Sequence, residues 1–204
     1  MPGLRERKKQ ETFAEIVDVA ERQFQKTGFE ATTVETIASA AGVSPGTVYN
    51  YFGTKSAVLL AVVTKEMDVA IEHAASALDL LAADPVDGLM PVIDAYVDSM
   101  LALGRDVLRE LFRTTLDPGK GPFAEELMSL DERALVQIAV AIGALQLQGS
   151  VSAKVDQMEA AYLVYSLIAT AFIVFMAVPD TTPDDVKSTI RRQLTLAFTG
   201  LIRR

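Results

Sequence analysis

Between residues 33 and 55 the chain reads T-V-E-T-I-A-S-A-A-G-V-S-P-G-T-V-Y-N-Y-F-G-T-K. The chemistry-bearing side chains here include Thr33, Ser44, Thr47, Tyr49, Asn50, Tyr51 and Lys55. These are hydroxyls, an amide and an ammonium, groups suited to recognition rather than bond breaking. An Asn amide offers a donor and an acceptor that match the adenine edge, and a Thr side chain can meet a thymine methyl or hydrogen-bond a base. Hydroxyl and ammonium donors hold phosphate oxygens, as Thr33, Tyr49, Tyr51 and Lys55 could. The framework beneath them has its own spacing. Ala38 suits the crossing of two short helices, Gly42 the turn between them, and Val48 the apolar anchor under the second. That arrangement is a helix-turn-helix. With Val48, Phe52 and Ile37 inside, Gly46, Thr47 and Asn50 face outward, flanked by Tyr49 and Tyr51.

The elements that must position this segment are nearly all helical. Phe13, Ile16, Val17, Ala20 and Phe24 recur at helical spacing, and Gly28 is a plausible stop. Thr32 and Glu35 are spaced as a capping box for a short helix ending near Ala41. Ser44 and Pro45 open the next, which runs to Phe52, and Thr54 caps a long fourth helix bearing Val58, Leu59, Val62, Val63, Met67, Ala70 and Ile71. Five further helical segments follow. Pro91 predicts a kink or a late start in the first of them. Asp117 to Pro122 is the strongest breaker in the chain. The last two segments run from Asp156 to Val178 and from Pro183 to Arg203, the final one with a stripe of Val186, Ile190, Leu194, Ala197 and Leu201. The predicted fold class is all-α, with residues 1–53 as a helix-turn-helix domain and 54–204 as a second helical domain.

The matching string, Thr33, Ile37-Ala38, Ala41-Gly42-Val43-Ser44, Gly46-Thr47-Val48-Tyr49, Tyr51-Phe52 and Lys55, resembles the DNA-binding domain of the TetR family of bacterial transcriptional regulators. The stretch from Ala20 to Gly28-Phe29 fits the same pattern. The resemblance covers about the first quarter of the chain. It implies phosphate contacts at Thr33, Tyr49, Tyr51 and Lys55, and base-reading positions at Pro45, Gly46, Thr47 and Asn50. Pro45 departs from the pattern, since many members carry Lys or Arg there. A basic arm from Arg5 to Lys9 would compensate by reaching the adjacent groove. The resemblance further implies a homodimer through the last two helices, a small-molecule pocket in the central helices coupled to the head through the fourth helix, and a repressor released from a palindromic operator by its effector.

Composition bears on each point. The net charge of −8 argues at first against nucleic acid. Up to Ser56, however, seven basic residues balance seven acidic ones, so the acidity belongs to the remainder. A neutral head on an acidic body can bind DNA locally. Apolar composition predicts an apolar effector, with Met67, Tyr96, Met100, Phe112, Met128, Tyr162, Tyr165 and Phe172 as candidate lining residues. Arg105, Arg109 and Arg113 recur every four residues; they could hold an anionic ligand, but a solvated stripe is the expected reading. The chain has no Cys, which excludes disulfides and thiolate chemistry. Its charged start does not read as a secretory signal, and a cytoplasmic protein is expected. His73 stands alone, and no Ser elbow, phosphate-binding Gly loop or dinucleotide fingerprint is present, so neither enzyme activity nor a cofactor or metal is expected. The 19 uncharged residues from Ala160 to Val178 reach the length of a membrane span, but no basic cluster flanks them; a buried or dimer-forming helix is expected. The alternative from another class is a helical ligand carrier or interaction protein whose DNA-binding head is inactive.

Overall fold

The computed structural model describes residues 3–78, 81–115 and 122–200, and among them the fold is all-α. Nine helices lie in the described residues: α1 (Leu4–Thr27), α2 (Val34–Ala40), α3 (Pro45–Phe52), α4 (Lys55–Leu78), α5 (Pro85–Ala102), α6 (Arg105–Thr115), α7 (Pro122–Leu147), α8 (Gln157–Ala177) and α9 (Pro183–Thr199). The run from Asp117 to Gly121, Leu201 and the end of the last segment at Arg203 lie outside the described residues.

The chain divides into two compact units, Met1–Glu66 with Ala102–Leu127 and Met67–Leu101 with Met128–Arg204. The first has a core of Ile16, Val17, Ala20 and Phe24 from α1, Ile37 and Ala38 from α2, Val48 from α3, and Val58, Leu59 and Val62 from α4. In α6, Val107 and Leu108 are also buried. Burial of such side chains stabilises by roughly 1.5–3 kcal/mol each.

Local chemistry fixes the helix ends. Gly42 follows α2 with φ of 67°, a left-handed conformation that glycine adopts without a Cβ clash. Its turn is closed by the Val43 amide donating to the Ala38 carbonyl at 2.9 Å. Ser44 Oγ accepts from the Thr47 amide at 3.1 Å to start α3, and Pro45 takes the first helical position. The start of α2 differs from the expected cap by one residue. Thr33, not Thr32, is the N-cap, and its box partner is Thr36, not Glu35. Thr32 is held by tertiary structure instead: its hydroxyl donates to the Gly28 carbonyl at 2.7 Å, and the side chain is buried. A further difference lies at the N-terminus. The basic segment from Arg5 to Lys9 is not an extended arm but the first turns of α1. Arg, Glu and Lys are good helix formers, and Arg7 faces Glu11 one turn on at 3.9 Å.

In the second unit, α5 starts at Pro85 and continues past Pro91, with Asp84 Oδ1 accepting from the Val86 and Asp87 amides at 2.9 and 3.0 Å. The core combines Leu89, Ile93 and Val97 of α5 with Ile138, Ile142 and Leu145 of α7, Val164, Ile168 and Phe172 of α8, and Val186, Ile190 and Leu194 of α9. Ala197, expected in that last stripe, is exposed. Ion pairs join α5 to α9, Lys187 with Asp98 at 2.5 Å and Arg191 with Asp87 at 2.6 Å. One helix among the described residues, α8, is long and apolar enough to cross a membrane, and 39% of its most apolar window is buried. Its inner face carries Ala161, Val164, Ile168, Ala171 and Phe172. Its other face exposes Tyr162, Leu163, Ile173 and Val174.

Candidate nucleic-acid interface

α3 is held from beneath by Val48, 1% exposed, and Phe13 of α1 stacks on Phe52 with ring centroids 4.9 Å apart. That leaves Pro45, Gly46, Tyr49 and Asn50 exposed on the opposite side. No charged residue lies on α3 itself. Charge is supplied beside it by α1: Arg5, Glu6, Lys8, Lys9 and Thr12 line a cleft of about 760 Å³ with Asn50 and Tyr51. The basic residues that the sequence placed in an arm therefore stand, as a helix, next to the α3 residues expected to read bases.

The expected contacts divide once the side chains are placed. Thr33 is exposed at the N-terminus of α2, where amides point outward and favour an anion. Tyr49 is 48% exposed. Thr47 is half-buried, and its hydroxyl lies 2.9 Å from that of Ser44. The other two expected phosphate holders, Tyr51 and Lys55, are half-buried and bonded to main-chain oxygens. The Tyr51 hydroxyl donates to the Lys9 carbonyl at 3.3 Å, a long bond at an exposed position. Lys55 donates to the carbonyls of Phe29, Thr32 and Glu30 at 2.8, 3.1 and 3.3 Å. Both side chains reach backbone oxygens of neighbouring elements that spacing along the chain does not reveal.

Sequence reasoning also missed an ion triad that braces the head. Lys65 of α4 lies 2.7 Å from both Asp18 and Glu21 of α1. Hydrogen bonds to those carboxylates hold its ammonium up at about 12. The spacing of Asp18 and Glu21, three apart on α1, was the only available signal.

The candidate effector residues are scattered. Met67, Tyr96 and Phe172 are buried, and Met100 and Tyr165 are half-buried. Met128 and Tyr162 are 60% and 52% exposed, so neither lines an interior of the single chain. Phe112 belongs to the first unit while the others belong to the second. Two polar links run through the second unit. The Tyr96 hydroxyl donates to Gln137 Oε1, whose amide donates to the Ile71 carbonyl at 3.0 Å. Tyr165 bonds to Asp131, and burial pushes the Asp131 carboxyl above its ordinary range. Asp131 sits four residues from both Leu127 and Leu135, which are buried; a carboxylate in an apolar stripe was the legible sign. The Arg stripe of α6 is tied to neighbouring carboxylates, Arg109 to Asp106 at 2.8 Å and Arg113 to Glu110 at 2.6 Å. Among the described residues no group of three or more His, Asp or Glu could hold a metal ion.

Residues 16–62 match the model of the family described as bacterial regulatory proteins, tetR family. The HTH-type transcriptional regulator UidR of Escherichia coli K12 is 26% identical over 94 residues, 46% of this chain and 43% of UidR. The HTH-type transcriptional regulator TtgR of Pseudomonas putida is 43% identical over 53 residues, 26% of this chain and 25% of TtgR. The chain thus spans less than half the length of the curated relatives it matches. Among solved structures, Thermus thermophilus FadR, a TetR-family transcriptional repressor in complex with lauroyl-CoA, aligns with a TM-score of 0.70 at 24% identity, covering 94% of this chain and 96% of that one. At that identity the likeness is one of fold.

Proposed function

We propose that this chain is a member of the tetR family of bacterial regulatory proteins, whose model its residues 16–62 match, and that it is a dimeric, ligand-responsive transcriptional regulator that represses from a palindromic operator. The observation that carries the reading is the exposed face of α3, with Asn50 beside the basic first turns of α1. Residues 1–53 act as the DNA-binding domain and 54–204 as the ligand-binding and dimerisation domain. Asn50 and Thr47 read bases with Pro45 and Gly46 allowing close backbone approach. Thr33 and Tyr49 hold the phosphate backbone, and Arg5, Lys8 and Lys9 add the charge that α3 lacks.

A single recognition helix reads too few base pairs, and a two-fold dimer places two about 34 Å apart in successive major grooves. α8 and α9 are the dimer-forming helices. Beyond Glu159 in the first turn, the exposed side of α8 is uncharged, and its Ser166 and Thr170 hydroxyls donate back to the carbonyls of Tyr162 and Ser166 at 2.7 and 2.8 Å. They therefore bring no unsatisfied donor to an apolar partner surface. The effector is a small apolar molecule; of the lauroyl-CoA with which Thermus thermophilus FadR is solved, the acyl chain belongs to this class and the charged CoA moiety does not. Binding in the body shifts α4 and separates the heads, with a coupling of ~1–3 kcal/mol.

The test is fluorescence anisotropy on duplexes enriched from a random-sequence pool by the protein itself. Salt-dependent, sequence-selective binding is expected. Failure to enrich any duplex, with a stable dimer that still binds apolar probes, would favour the carrier with an inactive head. Recovery only in detergent would instead make α8 a membrane helix.

A further inference from the structure

Two valines of α7 stay outside the core of the second unit. Val136 and Val140, one turn apart, are 49% and 52% exposed. They form one wall of a cleft of about 510 Å³, and Ile71 and Leu78 of α4 form the other. All four residues belong to the second unit. The volume lies within the range of small-molecule sites, about 300–1,000 Å³.

The cleft is polar at one end only. Along α7, Glu132 and Arg133 of its lining precede Val136 and Val140. On α4, Asp68 pairs with Arg133 at 2.7 Å. Three residues on, the Ile71 carbonyl accepts from the Gln137 amide at 3.0 Å. The two helices therefore run in the same sense along the cleft. Asp68, Glu132 and Arg133 stand at one end, and Leu78 and Val140 at the other. From Glu132 to Val140 is about 12 Å at the α-helical rise.

The uncommitted charge at the polar end is negative. Arg133 is engaged by Asp68, and Gln137 is engaged on both sides, its oxygen by the Tyr96 hydroxyl and its amide by Ile71. Glu132 is exposed and has no ion pair or hydrogen bond among the described residues. Two carboxylates thus stand against one guanidinium. An anion would have to displace Asp68 from Arg133 and approach Glu132; a cation meets Glu132 directly. The acidity of the chain beyond Ser56 adds attraction for cations at longer range. We propose that the α4–α7 cleft binds an amphipathic monocation, its positive head at Glu132 and its apolar tail along Val136 and Val140 against Ile71 and Leu78. The site stands on the cleft itself; that its occupant is the effector rests on the ligand-responsive reading above. An occupant of this cleft touches α4, the helix which that reading takes as the link to the heads.

Three probes with one decyl tail and different heads test the site: decyltrimethylammonium, decanol and decanoate. Isothermal titration calorimetry on DNA-free protein, below micelle-forming concentrations, is expected to rank them in that order, the cation about tenfold tighter than the anion. Glu132→Gln is expected to weaken the cation about threefold, as suits an exposed ion pair, while leaving decanol unchanged and tightening decanoate. Val136→Ser combined with Val140→Ser changes only half-exposed positions and is expected to weaken all three probes about tenfold through loss of one apolar wall. Decanoate binding more tightly than decyltrimethylammonium would overturn the proposal, as would a Glu132→Gln loss equal for cation and alcohol. Wild-type affinities in the double serine variant would place binding elsewhere and sink the cleft, and so would the absence of binding by any probe. The regulatory step is read separately, by anisotropy of a pool-enriched duplex: decyltrimethylammonium is expected to release it. Calorimetric binding that depends on Glu132 and the two valines, with no release of the duplex, would uphold the cleft and remove the effector reading.

Discussion

Replacing Ile173 by Lys tests the dimer reading at the centre of the exposed α8 face. Tyr162, Leu163, Ile173 and Val174 remain 52%, 51%, 51% and 46% exposed in the single chain. Full burial of such a side chain stabilises by ~1.5–3 kcal/mol, so about half of that, roughly 1 kcal/mol, is still available at each position. In a two-fold pair every position occurs twice. Truncation to Ala at 173 therefore removes about 2 kcal/mol and weakens dimerisation about 30-fold. Lys adds the desolvation of two ammonium groups, with Glu159, about four turns away in the first turn of α8, as the one carboxylate on the helix, a penalty of several kcal/mol. The combined effect is a dissociation constant raised by at least about 1,000-fold. Sedimentation velocity across nanomolar to micromolar protein should show a wild-type dimer and an Ile173→Lys monomer with unchanged helical content. The same variant should lose its preference for a palindrome over a half-site. A variant that sediments as a dimer like the wild type at all those concentrations would refute the assignment of α8 to the interface.

Other perturbations follow from the same structure. Asn50→Ala should cost ~1–3 kcal/mol on an enriched duplex and almost nothing on random DNA, measured by competition anisotropy; equal losses on both would remove Asn50 from base reading. Lys65→Met should destabilise the fold by about 1 kcal/mol after allowing for solvent screening of a half-exposed side chain, a fall in Tm of about 2–4 °C. The sign is fixed by its raised ionisation: the contribution is complete below the ordinary value of 10.5 and is lost as pH rises through about 12. Calorimetric melts at low and high salt check this, and a loss of Tm that does not shrink in high salt would contradict it. Asp131→Asn keeps an acceptor for the Tyr165 hydroxyl while removing a buried charge. Because burial raises the Asp131 carboxyl, the wild type loses stability as pH rises out of the ordinary carboxylate range through that raised value. The variant should match the wild type in acid and exceed it at neutral pH in urea denaturation; a gain that is independent of pH would refute the burial argument.

The legible parts of the chain are those whose cause is local. Gly42 and Ser44-Pro45 mark the helix ends of the head because a left-handed turn, a hydroxyl cap and a fixed φ each act within four residues. The inward set of Ile37, Ala38 and Val48 follows from periodicity alone. What was not legible depends on partners distant in sequence. Thr32 and Thr33 carry the same hydroxyl, and which one caps α2 is settled by the Gly28 carbonyl at the end of α1. Lys55 and Tyr51 are long or rigid polar side chains whose tips meet backbone oxygens 23 or more residues away. The effector candidates were chosen by residue type, and type does not distinguish exposed Met128 from buried Met67.

The acceptors around Lys55 are all main-chain oxygens, and this has a consequence for which substitutions the head tolerates. Any residue supplies a carbonyl, so exposed Glu30 and Ala31 are free to drift without loosening the loop. Phe29 and Thr32 are bound by other duties, a buried ring and a buried hydroxyl. Arginine at position 55 would present a planar fork in place of a point with three diverging donors. The surface of the α1–α2 loop can therefore change in side chain while its carbonyls stay within reach of Lys55.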